Sequence, residues 1–305
     1  MVLLLFGAVG CEKPAAEWTL ESVPVPAVFA PGVISSDDRD YGIAFTPDGA
    51  EAYFTRRSPR GSPKIYVTYL AGGSWTEPVL APFAGVRDES PFLTPDGKSL
   101  LFSSRRVAPA TGDRSDNIWS MARTPAGAWS EPELLSGSVN QPLGETVGVT
   151  TGSELGPILL PGGSLLYSTR MDSEWGSDLY VARRNTEGAY MEARPLRVNS
   201  YGDESNPTMS PDGHYLVFQG YGSGDALGEQ DLYLTERTEY GWGHPRLLPE
   251  PINSARNDGW PSFSPNGRHF FFASDRNRRR GDYDIYYVDV EALELRVPPD
   301  EVVRP

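Results

Sequence analysis

Short runs in which apolar and polar residues alternate recur in pairs along this chain, each pair joined by a Pro-Asp-Gly-like turn. The pairs are Ile43–Arg57, Phe92–Arg105, Ile158–Arg170, Thr208–Gly220 and Ser262–Arg276. Period-two alternation bounded by Gly, Pro and Asp predicts strands. The turn has its own mechanism: Asp bonds its downstream backbone, and Gly takes a positive φ without a Cβ clash. The turn prolines are Pro47, Pro95, Pro161, Pro211 and Pro265, so the copies step by 48, 66, 50 and 54 residues. Self-similarity at a near-fixed period is the mark of a repeat architecture. The third copy, Pro161-Gly162-Gly163, is one residue shorter before Tyr167, which predicts a looser turn.

Two more strands follow each pair. The third is predicted over Lys64–Tyr69, Asp116–Arg123, Asp178–Arg183, Asp231–Glu236 and Asp284–Asp289. The fourth is predicted over Trp75–Val79, Trp129–Leu135, Tyr190–Leu196 and Trp242–Leu248. Four antiparallel strands in units of this length make β-propeller blades. The last copy has no such fourth strand after it, whereas Trp18–Val25 precedes the first copy as a fourth strand should. The N-terminal segment is therefore expected to close the last blade, leaving no long unpaired edge; Leu293–Val297 is the alternative closing strand. Five blades are favoured. A sixth would have to be found within the 66-residue step.

The copies follow one form: two acidic residues, a proline, an apolar run into Ser/Thr-Pro-Asp-Gly, an aromatic, Ser and Arg, then Asp-Ile-Tyr. That form resembles the WD-like repeat of TolB-type propellers, and the resemblance covers nearly all the chain after residue 17. It implies an all-β propeller and a bacterial envelope setting. Relatives of this kind commonly have six blades, whereas five clear copies stand here.

Composition agrees with many short strands and turns: of 305 residues, 32 are Gly and 28 Pro, and aromatics make up 11%. The formal charge of −14 argues against nucleic acid, since phosphate binding needs a basic surface. Cys11 is the sole cysteine, so no intrachain disulfide can form. The apolar run Val2–Val9 is too short to span a bilayer as a helix but fits a signal-peptide core. Ala8-Val9-Gly10-Cys11 resembles a bacterial lipobox. No Lys or Arg precedes the run, and Ala8 stands where Leu is usual. The expected organisation is a signal peptide over 1–10, a lipidated tether at Cys11 through 17, one monomeric propeller over 18–297 and a tail over 298–305. The expected location is the cell envelope, lipid-anchored on the periplasmic side or in the outer membrane.

Strand direction puts the Pro-Asp-Gly turns at one end of the ring and the variable loops at the other. The variable end is the expected binding face, because function tends to sit in loops on a rigid scaffold. It receives Asp40, Asp88, Glu89, Glu154, Asp203, Glu204 and Asp258 ahead of the inner strands. It also receives the arginines that end the second strands, Arg56 and Arg57, Arg105 and Arg106, Arg170 and Arg276, of which Arg57, Arg105, Arg170 and Arg276 are the candidate binding residues. Acids that recur in every copy are more readily architectural, each pairing with Arg or backbone N–H groups; the alternative is a polar channel mouth that binds peptide, glycan or cation. Non-repeating features are Trp260, which starts an inner strand beside Asp258, the long connection Ser136–Gly152, and the arginine run Arg276–Arg280. No nucleophile elbow, phosphate loop, metal-spaced histidines or cofactor motif is present, so no catalytic residue, metal or cofactor is assigned. The leading expectation is a non-catalytic binding or scaffold propeller with a protein or peptidoglycan partner. A carbohydrate-active enzyme or glycan binder using acids at the channel mouth is the alternative.

Overall fold

The computed structural model describes residues 20–108, 115–140, 153–169, 176–221 and 226–295. The expected signal peptide, Cys11, its tether, Arg170, most of the Ser136–Gly152 connection and the C-terminal tail lie outside them. A first short strand, β1 (Ala27–Val28), precedes the blades. Blade I is β2 (Arg39–Phe45), β3 (Glu51–Arg57) and β4 (Lys64–Ala71), with an outer strand split into β5 (Ser74–Trp75) and β6 (Val79–Leu80). Blade II is β7 (Asp88–Leu93), β8 (Ser99–Ser104), β9 (Asn117–Ala122) and β10 (Glu133–Leu134). Blade III is β11 (Leu155–Leu159), β12 (Leu165–Thr169), β13 (Asp178–Arg184) and β14 (Tyr190–Pro195). Blade IV is β15 (Asp203–Met209), β16 (Tyr215–Tyr221) and β17 (Gln230–Thr238), with β18 (Gly241–Trp242) and β19 (Arg246–Leu247) outside. Blade V is β20 (Asp258–Phe263), β21 (His269–Ser274) and β22 (Asp284–Asp289), completed by β1. The fold is a five-bladed β-propeller.

The ring closes as the sequence implied. Ala27 pairs with Tyr287 and Val28 with Tyr286. Upstream, Ser22 Oγ and the Val23 N–H donate to the Asp289 carboxylate at 2.6 and 2.9 Å. The closing strand lies just past the expected Trp18–Val25 stretch, where Pro24 and Pro26 lack the N–H a ladder needs. Leu293 is not a strand but a buried residue of the 3₁₀ turn Val290–Leu293.

Each apolar core lies between two neighbouring blades. Phe270, Phe272 and Tyr286 of blade V pack on Val217, Leu232 and Leu234 of blade IV. Phe29, Phe271 and Ile285 pack on Ile43, Phe45 and Phe54 of blade I and so seal the ring. No blade buries its faces alone, as expected of repeats stacked around an axis.

The Pro-Asp-Gly turns are internally clasped. Thr94 Oγ1 donates to Asp96 at 2.6 Å, the same carboxylate accepts from the Lys98 N–H, and the Ser99 N–H donates to Thr94 Oγ1. Thr46–Asp48, Ser210–Asp212 and Ser264–Asn266 repeat the device. In the third copy Leu160 and Gly162 stand in these places, and the Leu160 N–H reaches Ser164, four residues on, where Thr94 reaches Ser99, five on. That turn is one residue shorter, as the sequence predicts.

Candidate functional site

Every inner strand breaks register at one place. The ladder slips between Tyr41 and Ile43, Glu89 and Phe92, Leu155 and Ile158, Ser205 and Thr208, and Gly259 and Ser262. The bulged residue has positive φ in each blade: Gly42 (58°), Ser90 (54°), Gly156 (58°), Asn206 (46°) and Trp260 (46°). Bulges turn side chains and tighten twist, and here they bring five residues towards the axis. Ser90 Oγ donates to Asn206 Oδ1 at 3.2 Å from blade II to blade IV. A Cβ on Gly156 would lie 2.7 Å from Asn206 Cα, and one on Gly42 3.5 Å from the Trp260 ring. The five residues form a constriction across the channel.

On the turn side of this constriction lies a cavity of about 260 Å³. Its walls are apolar: Phe45, Phe92, Ile158, Met209 and Phe263 among them. The prolines after the bulges (Pro91, Pro157, Pro207, Pro261) line it deep inside, and Pro47, Pro95, Pro211 and Pro265 of the turns form its rim. Sequence reasoning placed the turns at a quiet end; the central cavity sits among them. Its signal in the sequence is the proline that follows the bulged residue in four of the five copies, which fixes φ and leaves no donor facing the channel.

On the loop side three of the predicted acids, Asp40, Asp88 and Asp258, are held by arginines of their own blades. In blade V the fully buried Asp258 accepts from Arg276 at 2.8 Å and from the Ser254 N–H and Oγ, both 2.8 Å. Arg276 also donates to the Pro251 and Ile252 carbonyls and lies 5.0 Å over Phe272 and 5.1 Å over Tyr286. Blade I builds the same clasp from Asp40, Arg56, Ser36 and the Val33 and Ile34 carbonyls, with Arg56 over Phe54 and Tyr66. Blade II builds it from Asp88 and Arg106, stacked on Phe102 and bonded to the Phe83 carbonyl. Burial raises the Asp40 pKa, a rise that Arg56 and Ser36 offset only in part.

The choice of arginine was not readable from the sequence. Arg56 sits opposite Asp40 in the ladder, while Arg106 and Arg276 come two residues after the serines opposite Asp88 and Asp258. Arg57 instead donates to the Gly61 carbonyl, and Arg105 pairs with Asp116 at 2.9 Å. Glu89 accepts from Arg87 and from the Tyr41 hydroxyl. Burial pushes the Tyr41 hydroxyl well above its usual range, and Glu89 adds to this. Glu154 accepts from Thr169 at 3.4 Å, Asp203 from the Ser177 N–H, and Glu204 from Ser200. Trp260 packs on Tyr41 and Tyr283, with centroids 4.5 and 5.1 Å away. It fills the constriction and lines the inner end of the cavity. The arginine run is also engaged: Arg278 bonds Asp284 and the Ser36 and Asp37 carbonyls, and Arg280 pairs with Glu229. Among the described residues no cluster of metal-binding side chains occurs, and no helix is long and apolar enough to cross a membrane.

No family model matches this chain, and no curated protein does. Solved structures do. The GH43 endo-arabinanase from Bacillus licheniformis is 14% identical, with 84% of this chain and 95% of that one covered at a TM-score of 0.54. The α-L-arabinofuranosidase from Lactobacillus brevis is 11% identical, covering 83% and 90% at a TM-score of 0.53. TolB from Acinetobacter baumannii is 20% identical over 84% of this chain at a TM-score of 0.49, and this chain spans about half (53%) of its length. Likeness at these identities shows the propeller fold alone, and a propeller hosts many unrelated functions.

Proposed function

We propose that the protein is a non-catalytic binding propeller that engages a protein or cell-wall partner in the cell envelope. The observation that carries this reading is the fate of the acids at the loop-rich end. Asp40, Asp88 and Asp258 are fully buried and held by an arginine of their own blade. Hydrolysis of a glycosidic bond needs one carboxyl poised as acid and a second facing the sugar across a short gap. Carboxylates locked in buried arginine pairs hold loops instead. The concave feature on the axis of the ring is the proline-rimmed apolar cavity, whose lining suits binding better than proton transfer.

The envelope setting is supported by the apolar run Val2–Val9 followed by Gly10-Cys11, which we read as a signal peptide and lipid anchor. Cross-linking in envelope fractions with wild type and with Ser262→Trp, which fills the cavity, tests the reading. A partner captured by wild type and lost in the folded variant is expected. Hydrolysis of an arabinan or another glycan by the purified protein would overturn it. Cys11→Ser is expected to release the protein to the soluble fraction; unchanged membrane association would remove the anchor.

A further inference from the structure

The clasp that fills the loop side of blades I, II and V is incomplete in blade IV. Glu204 stands where Asp40, Asp88 and Asp258 stand, four residues after Ser200, as Asp40 and Asp258 follow Ser36 and Ser254. Ser200 donates its N–H and Oγ to Glu204, as Ser254 does to Asp258. Asn199 bridges the Leu179 backbone as Asn253 bridges that of Leu232. Phe218 and Tyr233 form the stacked aromatic pair, centroids 6.1 Å apart, that matches Phe272 and Tyr286 beneath Arg276. Only the arginine is missing. The ladder position of Arg56 is Gly220, opposite Glu204, and the sequence two residues further on, where Arg106 and Arg276 follow their ladder serines, has Gly222, outside the described residues.

A cavity of about 250 Å³ occupies the arginine's place. Glu204, Ser200, Phe218 and Tyr233 line it together with Val198 and the exposed His244. We propose that this pocket is a receptor for a guanidinium group supplied from outside the chain, an arginine side chain or a small guanidinium compound. The chemistry is the one the protein uses on itself three times. In each a carboxylate accepts from the fork; two aromatic rings take the cationic plane in blades I and V and one in blade II, and the carbonyls at 197 and 198 stand where those of Pro251 and Ile252 receive Arg276. Glu204 is 4% exposed and has serine but no arginine partner among its hydrogen bonds. Nearby Asp178 and Asp203 add negative potential, while Arg197 and His244 on the wall set the cationic side of the balance. Tyr201, next to Ser200 in the chain, is 98% exposed, and Tyr221 on the pocket wall is 48% exposed, both in keeping with a contact surface. This site is separate from the central cavity and does not depend on the partner proposed there.

The test is calorimetric titration of the full chain with methylguanidinium, agmatine, a Gly-Arg-Gly peptide and its Gly-Lys-Gly counterpart. Saturable binding of the guanidinium probes is expected, with the lysine peptide weaker, because an ammonium lacks the planar fork. Glu204→Gln should weaken binding by about tenfold or more, the loss of one charge-assisted contact. His244→Trp, a change at an exposed position, should weaken it by blocking the pocket while leaving Glu204 in place. Tighter binding of the arginine peptide than of agmatine assigns the occupant to a protein partner; the reverse assigns it to a free guanidinium compound. No saturable binding to folded wild type, or equal affinity in the folded Glu204→Gln and His244→Trp variants, would overturn the proposal.

Discussion

Arg276→Met removes the most heavily engaged side chain of a blade clasp without changing chain length or the adjoining strand. The arginine gives up its bond to Asp258, its bonds to the Pro251 and Ile252 carbonyls and to Ser274 Oγ, and its place over Phe272 and Tyr286. Met keeps part of the packing. The cost lies in Asp258, which is 0% exposed and keeps only Ser254 as a partner. Leaving one partner of a buried pair uncompensated costs about 3–5 kcal/mol. At ~2.1 cal/mol/K per residue, a chain of 305 residues converts that into a fall in Tm of roughly 5–8 °C. Asp258→Asn in the Arg276→Met background removes the stranded charge and should recover more than half of the loss, since neutral replacements of a buried pair are often tolerated. Differential scanning calorimetry of wild type, both single variants and the double variant measures the coupling directly. A single variant within about 1 °C of wild type would refute the reasoning, as would a double variant no better than Arg276→Met.

Gly156→Ala places a Cβ at φ +58° and 2.7 Å from Asn206 Cα, so it should destabilise by roughly 2 kcal/mol or more in denaturant titration; a neutral result would show that the constriction is loose. Glu204 gives a prediction in pH. Burial raises its pKa above the ordinary 4.5, with Ser200 offsetting part of the rise and Asp178 and Asp203 adding to it. The folded state therefore holds the proton longer than the unfolded state, and the contribution falls as pH climbs from 4.5 through the raised folded value. Glu204→Gln should flatten that fall in stability measured from pH 4 to 7; an unchanged slope would refute the assignment.

The mouth of the loop-rich end drew attention in the sequence because its charges recur. Recurrence marked them correctly as a set and left their role open. Asp258 and Glu204 occupy the same position in their copies, yet one is neutralised by its own blade and the other faces a cavity. The difference lies in Gly220, an unremarkable glycine until the ladder shows that it faces Glu204 where Arg56 faces Asp40. The axial constriction was hidden for a similar reason. Ser90 and Asn206 are 116 residues apart, and nothing in either copy announces that the two meet.

The sequence by itself determined the four-stranded blade and its recurrence, and favoured five blades closed by the N-terminal segment. Those features rest on short-range chemistry: period-two burial, Asp and Gly in the turns, and a fourth strand missing after the last copy while a matching segment stands before the first. The tertiary structure alone decided which end of the ring holds the cavity, which arginine of each adjacent pair clasps the acid, and which blade leaves its clasp unfilled. Those outcomes depend on ladder register and on bulges that turn a side chain towards or away from the axis. A one-residue change in register moves a guanidinium to the other face of a strand, and the local residue pattern is the same on either side of that choice.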